Sequence, residues 1–181
     1  MISSSIPGLA WPPPSTSGYD LPSGIAPVSS AVASKTVTID FVRVNAARRP
    51  GVTVVASSFY SDDYRPELAI DGITRQWAVG EWASRGEQDP WIELTFPHPI
   101  RSDRVVLFDR SISEDANNGT LTFSDGSSVE VTGIPPDGAP KTVEFPERVF
   151  DQVRFQVVGG SGPNVGLSEI EVYAMDEEAR P

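Results

Sequence analysis

From Thr36 to Tyr173 no window of a dozen residues carries apolar side chains at helical spacing, while short alternating apolar runs recur throughout. Val37, Ile39, Phe41 and Val44 nearly alternate before a Pro50-Gly51 turn, and Val52–Ser58 forms a second run. Trp91–Phe96 puts Ile92, Leu94 and Phe96 on one face, and Arg104–Phe108 reads as a buried strand. Val143–Phe145, Val153–Val157 and Ile170–Tyr173 complete the set. Pro66–Asp71 could make a single helical turn. Strands this short bury an apolar face only by pairing sideways and stacking, so the spacing predicts an all-β antiparallel sandwich or barrel.

One turn is specified by local chemistry. Leu121 and Phe123 lead into Ser124-Asp125-Gly126-Ser127, and Val129 and Val131 follow in the same alternation. Asp-Gly between alternating runs is a hairpin signal, because glycine accepts the positive φ that such turns need.

The 181 residues suffice for one domain with a real core plus a tail. Residues 1–35 hold six prolines, nine serines and three glycines without apolar periodicity, and are expected to form a linker to a neighbouring module. The sandwich is expected over 36–175, and the charged 176–181 segment is expected to fray. The formal net charge is −11, with a pI near 4.4. Such a surface repels phosphates, which argues against nucleic acid and anionic membranes as partners. There is no cysteine, so disulfide frameworks, zinc thiolates and thiol nucleophiles are excluded. No apolar run is long enough to span a bilayer, and no signal peptide is read at the N-terminus.

Two distant segments pair in meaning. Pro66–Trp77 contains Ala69-Ile70-Asp71-Gly72, and Gly162–Tyr173 runs through a Gly/Pro/Asn turn into Leu167-Ser168-Glu169-Ile170-Glu171-Val172-Tyr173. With Val54–Ser58, Pro90–Leu94, Asp103–Leu107 and Ser124-Asp125-Gly126, this ordered set resembles the discoidin domain, also called the coagulation factor V/VIII type C (F5/8 type C) domain. Carbohydrate-binding modules of family 32 share the pattern. The resemblance covers roughly residues 45–174. The stretch Leu107–Arg110 with Gly119–Gly126 looks closest to modules appended to secreted carbohydrate-active enzymes, including PIG-L-type deacetylases. The resemblance implies an eight-stranded jelly-roll-like β-sandwich of the galactose-binding, discoidin type. It implies no catalysis by the module, and an extracellular or cell-surface setting.

It also implies a structural calcium. Carried over, its ligands are the Leu68 carbonyl, Asp71, Thr74, the Ser168 carbonyl and Glu169. Mixed oxygen donors of this kind suit a hard cation. The Asp71-Gly72-Ile73-Thr74 loop is shorter than usual, with Ile73 where an oxygen donor often stands. Without a cation, Asp71 would cap the turn, and Glu169 would pair with Arg75 or be solvated.

A sugar site needs an aromatic platform with carboxylates, amides or guanidinium groups around it. The loops Phe59–Arg65 and Gly80–Arg85, and Asp109-Arg110 followed by Glu114–Asn118, supply those groups. The candidates are Trp82 as platform, with Arg85, Asp109, Arg110, Tyr60, Tyr64 and Asn117; Asp109 and Arg110 could instead pair with each other or across the sheet, and Trp82 could instead cover the sandwich end as a rim residue. Trp77 and Trp91 are expected in the core. His98, the single histidine, lies between prolines and is expected in a loop; no Gly-x-Ser-x-Gly element supports a nucleophilic triad. Asn118-Gly119-Thr120 fits a glycosylation sequon or a plain turn, and Gly159–Gly162 reads as a loop. The leading expectation is a non-catalytic carbohydrate-binding module holding a linked catalytic or surface protein on a glycan. The alternative is a protein-interaction or adhesion module without sugar binding.

Overall fold

A computed structural model describes residues 41–76 and 78–177. The expectations for the 1–35 linker and for Trp77 fall outside these residues, as does most of the charged tail. Eight strands run in chain order: β1 (Phe41–Asn45), β2 (Thr53–Ala56), β3 (Trp82–Ala83), β4 (Trp91–Asp109), β5 (Asn118–Phe123), β6 (Ser128–Thr132), β7 (Pro140–Val157) and β8 (Gly166–Glu177). All pairings are antiparallel, in the order β1-β8-β4-β7-β5-β6, with β2 on β4 and β3 on β8. This is the antiparallel, discoidin-like β-sandwich that the sequence leads one to expect.

Two long strands make the sandwich. β2 pairs with the first part of β4, Thr53 opposite Thr95, whereas β8 pairs with its second part, Asp109 opposite Leu167. β7 follows β4 along its length, with register shifts between Thr95 and Ile100. There the exposed Pro97-His98-Pro99 carries the chain over from one layer to the other. Proline cannot donate to a ladder, so the crossing falls where the pairing lapses. The sequence reads β4 and β7 as two short strands each; the bend hides their continuity.

The alternation in β4 does what the spacing predicts. Ile92, Leu94 and Phe96 are buried and meet Val105, Leu107, Leu121, Val153, Phe155 and Ile170 between the layers. Trp91 departs from expectation. It is out of phase with Ile92, so it faces the outside of the sheet, where the Arg154 guanidinium lies 3.9 Å from its ring centroid. At the crossing end Phe123 packs on Phe145 and Phe150, with centroids 5.0 and 4.8 Å away.

The predicted hairpin forms between β5 and β6. Gly126 takes φ +84°, its amide donates to the Phe123 carbonyl, and Asp125 Oδ1 accepts from the Ser127 amide at 2.8 Å. The helical turn expected at Pro66–Asp71 is a 3₁₀ turn over Pro66–Ile70, preceded by another at Asp62–Tyr64. Among the described residues, no helix is long and apolar enough to cross a membrane.

Candidate functional site

At the end opposite the Pro97–Pro99 crossing, the loops 57–65, 78–90, 110–117 and 158–165 knit together. Tyr60 donates its amide to the Ala83 carbonyl, Ser84 to Val165 and Ser161 to Asp115. A cavity of about 250 Å³ opens among them. Tyr60, Tyr64, Glu81, Arg110, Glu114 and Asn164 carry its polar and aromatic wall.

Arg110 is the hub. It sits just beyond β4, nearly buried, and its Nε and Nη2 donate to Glu81 Oε1 at 3.0 and 2.8 Å. Its Nη1 donates to Glu114 Oε2 at 3.1 Å and to the Asn164 carbonyl. The Tyr64 ring lies over the same guanidinium, 5.4 Å from centroid to Cζ. Tyr60 meets Tyr64 edge-on, at 5.8 Å and 76°. Glu81 is fully buried, and its Oε2 has no hydrogen-bond partner. A buried charge persists only when paired and hydrogen-bonded, so the Arg110 fork is what allows Glu81 to stay inside.

The other sequence candidates separate from this cluster. Trp82 is not a platform: its side chain is fully buried and its indole donates to the Ser58 carbonyl at 2.9 Å. It lies on β3, which pairs with β8 through Leu167, and this pairing turns the ring into the core. Gly166 opposite Ala83 has no room for a Cβ, which would overlap the Trp82 carbonyl oxygen. Asp109 lies beneath the cavity. It is fully buried and accepts from the Arg110 amide at 2.8 Å and the Ala116 amide at 3.1 Å, closing the loop that carries Glu114. Burial pushes its carboxyl up to about 7, against the pull of those two amides. Arg85 is exposed and reaches the Tyr60 carbonyl at 3.4 Å, and Asn117 holds Ile134 through its carbonyl; neither belongs to the cavity wall. Of the sequence candidates, Tyr60, Tyr64 and Arg110 come together. Glu81, Glu114 and Asn164 are the partners that residue-by-residue reading misses.

The acidic loops around Asp71 and Glu169 also meet. Glu169 is fully buried; its Oε2 accepts from the Gly72 amide at 3.1 Å, and its Oε1 has no partner. Asp71 Oδ1 accepts from the Ile73 amide at 2.8 Å, as a turn cap would. Burial pushes the Glu169 carboxyl up to about 8, with Asp71 and Glu171 adding to it and Arg48 opposing. Arg48, rather than Arg75, is thus the guanidinium facing Glu169. β8 changes register between Phe108 and Asp109 of β4, which leaves Ser168 as the extra residue of a bulge. Among the described residues, no three carboxylate or imidazole groups converge. Further donors to a cation here would have to be carbonyls and a hydroxyl. The orphaned, buried Glu169 oxygen, beside the bulge at Ser168, fits a hard cation.

An all-antiparallel sandwich with strand-crossing β4 and β7 and a polar cavity among its end loops defines a discoidin-like β-sandwich. Within that class the chain belongs to the family described as a domain of unknown function, DUF7402, whose model matches residues 45–173. Solved structures share the fold. One is the chitosan-binding module 1 of a Paenibacillus sp. IK-5 chitosanase/glucanase: 23% identity, 74% of this chain, 100% of that chain, TM-score 0.58. Another is a fucose-binding module of Streptococcus pneumoniae: 19% identity, 73% of this chain, 96% of that one, TM-score 0.60. A third is a Clostridium perfringens family 32 module in complex with GalNAc-β-1,3-galactose: 18% identity, 68% of this chain, 95% of that one, TM-score 0.58. Comparison with curated protein sequences finds no match.

Proposed function

We propose that this chain is a non-catalytic carbohydrate-binding module and that the loop-end cavity is its sugar site. The observation that carries the reading is the wall itself: two tyrosine rings set edge-on beside a guanidinium held rigid by Glu81 and Glu114. Aromatic faces take the apolar side of a sugar ring, and fixed polar groups take its hydroxyls. The solved neighbours, which bind chitosan, fucose and GalNAc-β-1,3-galactose, support a sugar ligand. Both carboxylates at the wall are engaged with Arg110. That engagement reads as positioning of the wall rather than as an acid–base pair, in keeping with binding without cleavage. By this reading the module keeps a linked protein on an extracellular or surface glycan by raising its effective concentration there.

The cation belongs to the same reading. Asp71 and Glu169, with the Leu68 and Ser168 carbonyls and the Thr74 hydroxyl, would hold calcium. The ion would neutralise the buried Glu169 and tie the 3₁₀ turn to β8. Screening the full chain on a glycan array, followed by titration calorimetry of the strongest glycan, tests the sugar site. Tyr64→Ala should weaken binding roughly tenfold or more. Binding to no glycan, or binding indifferent to Tyr64→Ala, would overturn the assignment.

A further inference from the structure

We propose that the loop-end cavity selects sugars carrying a free, protonated amine over neutral or N-acetylated ones; this rests on reading the cavity as a sugar site. The argument is a census of donors and acceptors on the wall. The Arg110 guanidinium donates to Glu81 Oε1 twice, to Glu114 Oε2 and to the Asn164 carbonyl. The Asn164 side-chain amide donates to Glu114 Oε1 at 3.3 Å. Four of the five guanidinium N–H groups and one amide hydrogen of Asn164 are therefore held by the wall's own acceptors, which leaves one guanidinium N–H, one amide hydrogen and the two tyrosine hydroxyls as uncharged or already-paired donors.

Acceptors remain in excess. Glu81 Oε2 is buried with no partner and acts on a ligand through its charge, whereas the Glu114 side chain still shows 21% of its surface and can accept directly. Two carboxylates face one guanidinium, so the wall carries a net negative charge, in a chain whose net charge is −11. Tyr60 is exposed beside them and its ring presents a face that attracts a cation, whereas the half-buried Tyr64 ring already lies over the Arg110 guanidinium.

A ligand completes such a wall by bringing donors and positive charge. An ammonium brings three donors, no acceptor and one charge. A hydroxyl brings a single donor and no charge. An acetamido group brings one N–H and a carbonyl but no charge, so it leaves the wall's negative excess unanswered. The same census disfavours acidic sugars, whose carboxylates would meet Glu114 directly.

Titration calorimetry of the full chain with a β-1,4-linked glucosamine tetramer, its fully N-acetylated counterpart and galactose, at mildly acidic pH, tests this. The amine form should bind roughly tenfold or more tightly than the acetylated form, the scale of one charge-assisted hydrogen bond. Its affinity should fall as salt is raised. Glu114→Gln, at the partly exposed edge, should erase most of the preference while the protein stays folded, because the glutamine oxygen can still accept from Arg110. Glu81→Gln is the second variant and should reduce the preference further. Equal binding of the amine and acetylated forms, or a preference that survives both substitutions, overturns amine selection. Tight binding of galactose alone does the same and leaves the sugar site standing. If none of the three sugars binds and the array is also blank, the sugar site and the amine selection fall together.

Discussion

Replacing Arg110 by methionine should cost the fold far more than a surface charge does. The side chains of Arg110 and Glu81 are 5% and 0% exposed, and the guanidinium gives Glu81 Oε1 both of its bonds. Exposed ion pairs are worth at most about 1 kcal/mol, because water competes for both partners. Here water is shut out, so Arg110→Met would leave a carboxylate buried with neither oxygen bonded. Removing one partner of a buried pair costs about 3–5 kcal/mol. Loss of the Glu114 and Asn164 contacts places the expectation toward the upper part of that range. For a domain of this size that is a drop in Tm on the order of 10–15 °C. The destabilisation is chiefly the stranded Glu81 charge, which dictates the second measurement. Adding Glu81→Gln to Arg110→Met removes that charge, so the double variant should melt higher than Arg110→Met alone. Arg110→Lys keeps the charge but not the fork, and should fall between wild type and Arg110→Met. Urea unfolding followed by tryptophan fluorescence reports all four proteins. If Arg110→Met loses less than about 1 kcal/mol, or if the two substitutions simply add, the pair is not held out of water and the account of the site fails.

The buried carboxyls predict an unusual pH dependence. Asp109 and Glu169 are raised to about 7 and about 8, from 3.8 and 4.5. The folded chain therefore holds protons that the unfolded chain releases, and stability should be greatest near pH 4 and fall as pH rises toward 8. Calcium would oppose the Glu169 part of that fall, so melts with a chelator and with calcium should diverge most at alkaline pH. Glu169→Gln should flatten its share of the pH dependence and abolish the calcium effect; a calcium effect that persists in this variant would rule out the Asp71/Glu169 cradle. Trp82→Ala should destabilise by about 3–5 kcal/mol, because it empties a filled core position. A urea midpoint near wild type would return Trp82 to the surface.

The sequence makes legible what is encoded by local period and turn chemistry. Ile92, Leu94 and Phe96 announce their shared face, and Ser124-Asp125-Gly126 announces its hairpin, because each needs only its own neighbours. The same alternation already places Trp91 on the outer face; assigning it to the core gives family pattern precedence over phase. Trp82 defeats period altogether. A two-residue strand has none, and its burial follows from pairing with Leu167, which local sequence does not reveal.

Glu81 shows why the site resists residue-by-residue reading. Beside glycine in a polar loop, a glutamate reads as solvated. Its burial becomes sensible only with Arg110, 29 residues further along, in place. Tyr60, Tyr64 and Arg110 are recognisable because their chemistry is suggestive in any loop. The charge of the cavity, and hence its selectivity, is set by Glu81, Glu114 and Asn164, whose roles exist only once distant loops meet. A sugar site can therefore be expected from the sequence, while the feature that would choose among sugars belongs to the pairing of side chains across the end of the sandwich.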